Sequence, residues 1–167
     1  MEHQIKIRTS YKSLALATIA LLPAAAMAAT TTTTMAVSAT VISACIVTAT
    51  PMAFGNYDPT SATATTSTSV ISVTCTSAAP YNVGLDKGAN GSSVTARLMK
   101  VGANTLPYSL YSDASRTVNW GNTVGTDTVT GTGSGILQNV TVYGSIPASA
   151  AVPAGAYIDT VMVTVTY

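Results

Sequence analysis

From Met35 onward the chain alternates apolar and polar positions in short runs broken by turn residues. Met35, Val37, Ala39 and Val41 share one parity, with Ala36, Ser38 and Thr40 on the other, the pattern of a strand with one apolar face over residues 35–42. Residues 45–49 predict a second short strand, and Pro51 ahead of 53–57 suits an edge or a bend. Residues 58–69, rich in Ser, Thr and Ala, read as a surface loop. In 70–75, Ile71, Val73 and Cys75 face one way and Val70, Ser72 and Thr74 the other. Residues 81–86 alternate again and run into a turn over 86–91. Residues 96–101 and 105–111 form a hairpin pattern across Gly102-Ala103-Asn104. Residues 122–135 read as a loop with one edge strand, 136–143 as a strand and 144–155 as a connection. The last strand is predicted over 157–167, with Tyr157, Val161, Val163, Val165 and Tyr167 on one face. No helical period and no internal repeat stand out, so the pattern predicts an all-β sandwich or barrel.

The N-terminus follows another rule. Lys6, Arg8 and Lys12 precede an apolar run from Leu14 to Ala26, and Ala26-Met27-Ala28 is an A-x-A site. That order predicts a secretory signal peptide over residues 1–28, cleaved after Ala28. The run is about 13 residues, short of the roughly 20 a spanning helix needs. Cleavage leaves about 139 residues, one domain on length grounds. Four cations (Lys87, Arg97, Lys100, Arg116) and five carboxylates (Asp58, Asp86, Asp113, Asp127, Asp159) remain, a net charge of −1. Such a chain has no basic patch with which to neutralise phosphates, so nucleic acid is not expected as a partner.

The mature part carries neither histidine nor glutamate, since His3 and Glu2 leave with the signal. Ser-His-Asp and Cys-His catalysis therefore lack their base, and no enzymatic activity is expected. Asp58 and Asp86 as a catalytic carboxylate pair, or Asp86, Asp113 and Asp127 around calcium, are weaker readings than solvated turn aspartates. Gly131-Thr132-Gly133-Ser134-Gly135 lacks the Lys-Ser/Thr that ends a phosphate loop. Trp120 reads as core rather than as a sugar-stacking platform. Cys45 and Cys75, in an exported chain, are expected to form one disulfide, the alternative being two buried thiols. Zinc would need more Cys or His ligands than are present, so neither metal nor cofactor is expected.

A series of short motifs runs in order through the mature chain. They are Cys45-Ile46-Val47, Phe54-Gly55-Asn56-Tyr57, Ile71-Ser72-Val73-Thr74-Cys75, and Tyr81-Asn82-Val83-Gly84-Leu85-Asp86-Lys87-Gly88. Arg97-Leu98-Met99, Leu106-Pro107-Tyr108-Ser109-Leu110-Tyr111-Ser112-Asp113, Trp120-Gly121 and Val142-Tyr143-Gly144-Ser145-Ile146-Pro147 follow. The terminal stretch from Ala154 to Tyr167 completes the set. In these the chain resembles the spore coat protein U domain family, which includes the pilins of archaic (Csu-type) chaperone–usher pili.

The resemblance implies an incomplete immunoglobulin-like β-sandwich, its final strand missing, over residues 44–167, with an N-terminal donor strand in the extension 29–43. It implies polymerisation by donor-strand complementation, a form of β-strand addition. Met35, Val37, Ala39 and Val41 would be the donor residues. Val161, Val163, Val165 and Tyr167 would line the acceptor groove, bound first by a periplasmic chaperone and then by the next subunit at an outer-membrane usher. Partners would be identical or related subunits, and the location a surface fimbrium serving adhesion and biofilm formation. Ala39 departs from the pattern, since its small side chain would fill a pocket shallowly. Two competing readings are that residues 35–41 form an ordinary first strand of their own domain, and that the protein is a self-complete, secreted or coat-associated binding protein.

Overall fold

The computed structural model describes residues 27–167; all but the last two residues of the signal segment expected over 1–28 lie outside the described residues. The chain divides into two units between Ala39 and Thr40. In the first, residues 27–39 form no helix or strand, and Met35 and Val37 are each 84% exposed. The strand expected over 35–42 is therefore not formed. Alternation marks which side chains share a face, but a strand persists only where ladder partners take up its backbone groups.

The second unit is all β. Among the described residues there are eight strands and no helix: β1 Cys45–Ala49, β2 Thr65–Cys75, β3 Pro80–Leu85, β4 Arg97–Val101, β5 Asn104–Tyr111, β6 Val129–Thr132, β7 Gln138–Ile146 and β8 Val163–Thr166. They make two antiparallel sheets, ordered β1-β2-β7-β5-β4 and β6-β3-β8. The inward parity of β2 is the expected one, with Ile71, Val73 and Cys75 each 1% exposed or less. They meet Tyr81, Val83 and Leu85 of β3 and Leu106, Tyr108 and Leu110 of β5 in one core. Each such aliphatic side chain contributes about 1.5–3 kcal/mol by leaving water.

The β4–β5 hairpin closes through Gly102-Ala103, with Val101 paired to Asn104. Gly102 has φ 57°, the positive value that the first central residue of a two-residue hairpin turn of this kind requires. Trp120 is fully buried, as expected of a core residue. Its Nε1–H donates to the Val83 carbonyl at 2.8 Å, and its backbone N–H donates to Leu110 O at 2.9 Å, so it ties the two sheets together.

Three boundaries differ from expectation. Strand β2 begins at Thr65, inside the expected loop, because the Thr- and Ser-rich stretch 65–69 pairs with Val142–Ile146 of β7. Its hydroxyls are used: Ser67 Oγ donates to Ala53 O at 2.6 Å and Ser69 Oγ donates to Thr50 O. Strand β7 begins at Gln138 and runs on to Ile146, leaving Ile136 and Leu137 exposed. The expected last strand over 157–167 is reduced to β8. Ile158 pairs instead with Lys100 of β4, and residues 159–162 are held by the 86–90 turn before the chain joins β3. This stretch leaves the ladder of one sheet before it joins the other, and the bend between them interrupts the strand.

Candidate functional site

Strands β1 and β8 are the edges of different sheets, and they approach each other. Among the described residues neither has a ladder partner on its outer side. Beyond the point where they meet, the segment after β1 and the segment before β8 diverge and leave a groove that reaches the core. It has two lobes of about 550 Å³ each.

The first wall is residues 49–59. Pro51 interrupts the strand, and the hydroxyls of Ser67 and Ser69 then hold the Thr50 and Ala53 carbonyls in place of a ladder. Met52, Phe54 and Tyr57 consequently turn inward, half-buried against the core. The Tyr57 hydroxyl donates to Pro147 O and accepts from Ala150 N–H, both at 2.8 Å, fixing the loop at one end of the groove.

The second wall is residues 152–163. Its anchor is Asp159, whose carboxylate accepts from the backbone N–H of Ala89 and Asn90, the Asn90 amide and the Tyr108 hydroxyl. Burial, followed by that hydrogen bond to Asp159, pushes the Tyr108 hydroxyl well above the ordinary tyrosine range, so it remains a donor. Asp86 supports the same wall, accepting from Met162 N–H at 2.9 Å.

The floor comes from the sheet below. The inward positions of β7 run along the groove: Val142 floors one lobe and Ile146 the other, with Gly144 between. A Cβ at 144 would run into the Met52 sulfur and the Phe54 ring, so glycine is what lets these two side chains settle onto the sheet. Phe54 also meets Tyr108 edge-on, with ring centroids 6.5 Å apart.

The expected acceptor residues divide. Val161 and Val163 line the groove; Val165 packs half-buried against the core; Tyr167 is 59% exposed and stands outside the lobes. Met52, Phe54, Tyr57, Met99 and Tyr157, absent from the expected set, supply much of the lining. Met52 and Phe54 did carry a signal, two large apolar residues at alternate positions directly after Pro51. Of the expected donor residues, Met35, Val37 and Val41 are all more than 80% exposed. Cys45 and Cys75 are bonded to each other, directly opposite in the β1–β2 register.

The carboxylates are occupied by hydrogen bonds from backbone N–H groups and nearby side chains. Asp58 binds Thr60, Asp113 binds Thr117 and Val118, and Asp127 binds Thr123. Hydrogen bonds from Thr60 hold Asp58 below the ordinary carboxylate range, and those from Val118 and Thr117 do the same for Asp113. Arg97 is fully buried and donates to four backbone carbonyls, those of Asp86, Val94, Leu85 and Trp120, at 2.7–2.9 Å. Burial lowers the affinity of its guanidinium for its proton, and the surrounding carboxylates oppose that effect.

The fold and groove define a class: a two-sheet, immunoglobulin-like β-sandwich left open along one seam. The chain belongs to the Spore Coat Protein U domain family, whose profile matches residues 31–164. It is similar to "Protein U" of Myxococcus xanthus, at 38% identity over 126 residues that span 68% of this chain and 70% of that protein. Among solved structures it resembles a chain of the CsuC–CsuE chaperone–tip adhesion subunit pre-assembly complex, from archaic chaperone–usher Csu pili of Acinetobacter baumannii. The TM-score is 0.58 at 26% identity, with 77% of this chain and 40% of that chain covered. The chain thus spans well under half the length of that solved relative.

Proposed function

We propose that this protein is a structural subunit of a chaperone–usher surface pilus, exported after cleavage at Ala28, and that it polymerises by donor-strand complementation to serve adhesion and biofilm formation. The observation that carries this reading is the open seam: an apolar groove reaches the core between the segment that follows β1 and the segment that precedes β8, two strands with no outer ladder partner among the described residues. An extended apolar segment satisfies both needs at once, since its backbone continues the ladders and its alternate side chains fill the lobes. Residues 35–41 have that alternation and form no strand of their own. The solved relative comes from a chaperone–subunit complex, which supports a periplasmic chaperone as the first occupant; in this reading an usher-guided second subunit then replaces it. The fixed roles of the carboxylates support a structural rather than an enzymatic part.

The test is to replace Val37 and Val41 together by Asp in the full chain, co-expressed with chaperone and usher. Charged groups in apolar lobes are costly to bury. Fibres are expected from the parent chain and none from the variant, with chaperone capture by the variant's own groove retained. Intact fibres from the double variant overturn the donor assignment. The family's description, Spore Coat Protein U domain, favours a second reading, a coat-associated protein; discrete monomers in electron micrographs of chaperone-free parent protein would select it.

A further inference from the structure

The two lobes of the groove share four lining residues: Met52, Phe54, Met99 and Tyr157. These side chains stand between the lobes and form a waist. The β7 positions beneath show how the waist arises. Val142 lies under one lobe and Ile146 under the other, while at Gly144 the space a side chain would take is filled by Met52 and Phe54 coming from above. Along the groove the floor therefore runs from Val142 through a glycine site filled from above to Ile146, with a repeat set by alternate residues of a strand.

The extension has the matching sequence. Val37 and Val41 are branched and apolar, and Ala39 between them is small. We propose that Ala39 of a second copy of this chain seats over the waist, placing its Val37 in one lobe and its Val41 in the other, so that the waist sets the register of assembly. This rests on the donor-strand reading above. The assignment holds whichever way the incoming strand runs, because Ala39 is the midpoint of the pattern. It also accounts for a small residue where a groove of uniform depth would favour a large one. A slip by two residues would bring Val37 or Val41 onto the waist, where Met52 and Phe54 leave no depth for it, and register errors of that kind are thereby rejected.

The experiment uses the full chain co-expressed with its assembly proteins, reading fibre yield and the temperature at which fibres dissociate in detergent. Ala39→Leu is expected to lower fibre yield about tenfold, the scale of one overpacked side chain, whereas Val37→Leu changes it by less than about twofold. Met52→Ala, which opens the waist, is expected to restore assembly to Ala39→Leu. Ala39→Leu fibres as abundant and as heat-stable as the parent's overturn the register while leaving donor exchange standing. Equal losses from Ala39→Leu and Val37→Leu, with no rescue by Met52→Ala, also overturn it. Absence of fibres from the parent chain defeats the donor reading itself, and the register with it.

Discussion

The Tyr108 hydroxyl donates a 2.7 Å hydrogen bond to the Asp159 carboxylate, joining strand β5 to the wall of the groove. Tyr108 lies in the core cluster and Asp159 in the stretch that crosses between the sheets. The bond thus fixes how far the second wall stands from the floor. Tyr108→Phe removes it while keeping the ring against Phe54. The expected cost is about 1.5–3 kcal/mol, as for a hydrogen bond to a charged group, read as a lower urea midpoint. Faster amide exchange at 158–162 than at β2 should accompany it. An unchanged midpoint would mean that Ala89 and Asn90 hold Asp159 without help.

Arg97 is a fully buried cation whose partners are carbonyls. Arg97→Met keeps much of the volume but leaves the buried Leu85 and Trp120 oxygens without donors, for an expected loss of at least about 3 kcal/mol. Arg97→Lys should recover less than half of that loss, because one ammonium cannot span the directions that the planar fork serves. Equilibrium denaturation of the three proteins checks the order.

Cys45 is the first residue of β1, and its bond to Cys75 closes a separation of 30 residues. Replacing both cysteines by Ala is expected to cost about 3–4 kcal/mol through the freer unfolded chain. Addition of a thiol reductant should move the parent's midpoint to that of the variant and leave the variant unmoved.

Asp113 is held below its ordinary value of 3.8 by bonds that its ionised form makes to Val118 and Thr117. A carboxyl depressed by folding adds stability that is complete above its unfolded value and is lost as pH falls through the folded one. The stability difference between the parent and Asp113→Ala should therefore be constant at neutral pH and shrink below about pH 4. Urea midpoints measured from pH 7 down to pH 2 test the sign; a difference that grows on acidification contradicts it.

Much of this architecture was legible in local pattern. The parity of Ile71, Val73 and Cys75 and the hairpin at Gly102 follow from residue type and spacing, since each depends on neighbours within a strand or a turn; the burial of Trp120 followed from its residue type, and the Cys45–Cys75 bond from there being two cysteines in a chain that reads as exported. The hydroxyls of Ser67 and Ser69 misled for a physical reason: polar side chains facing inward look like a loop until the carbonyls they bind are in place. Tyr167 shares the parity of Val163 and Val165, yet parity does not say where a sheet stops covering its face.

By itself, the sequence determined an all-β chain with a leader-like start, one crosslink and an alternating N-terminal segment, because those properties reside in composition and in a period of two. The groove was decided by tertiary structure. Its walls are two irregular segments, one held by serine hydroxyls and the other by Asp159, and its waist exists because Gly144 lies beneath side chains some 90 residues away in sequence. A strand period records which side chains share a face, but the depth of a cleft depends on what packs against that face, and only the folded chain brings those residues together.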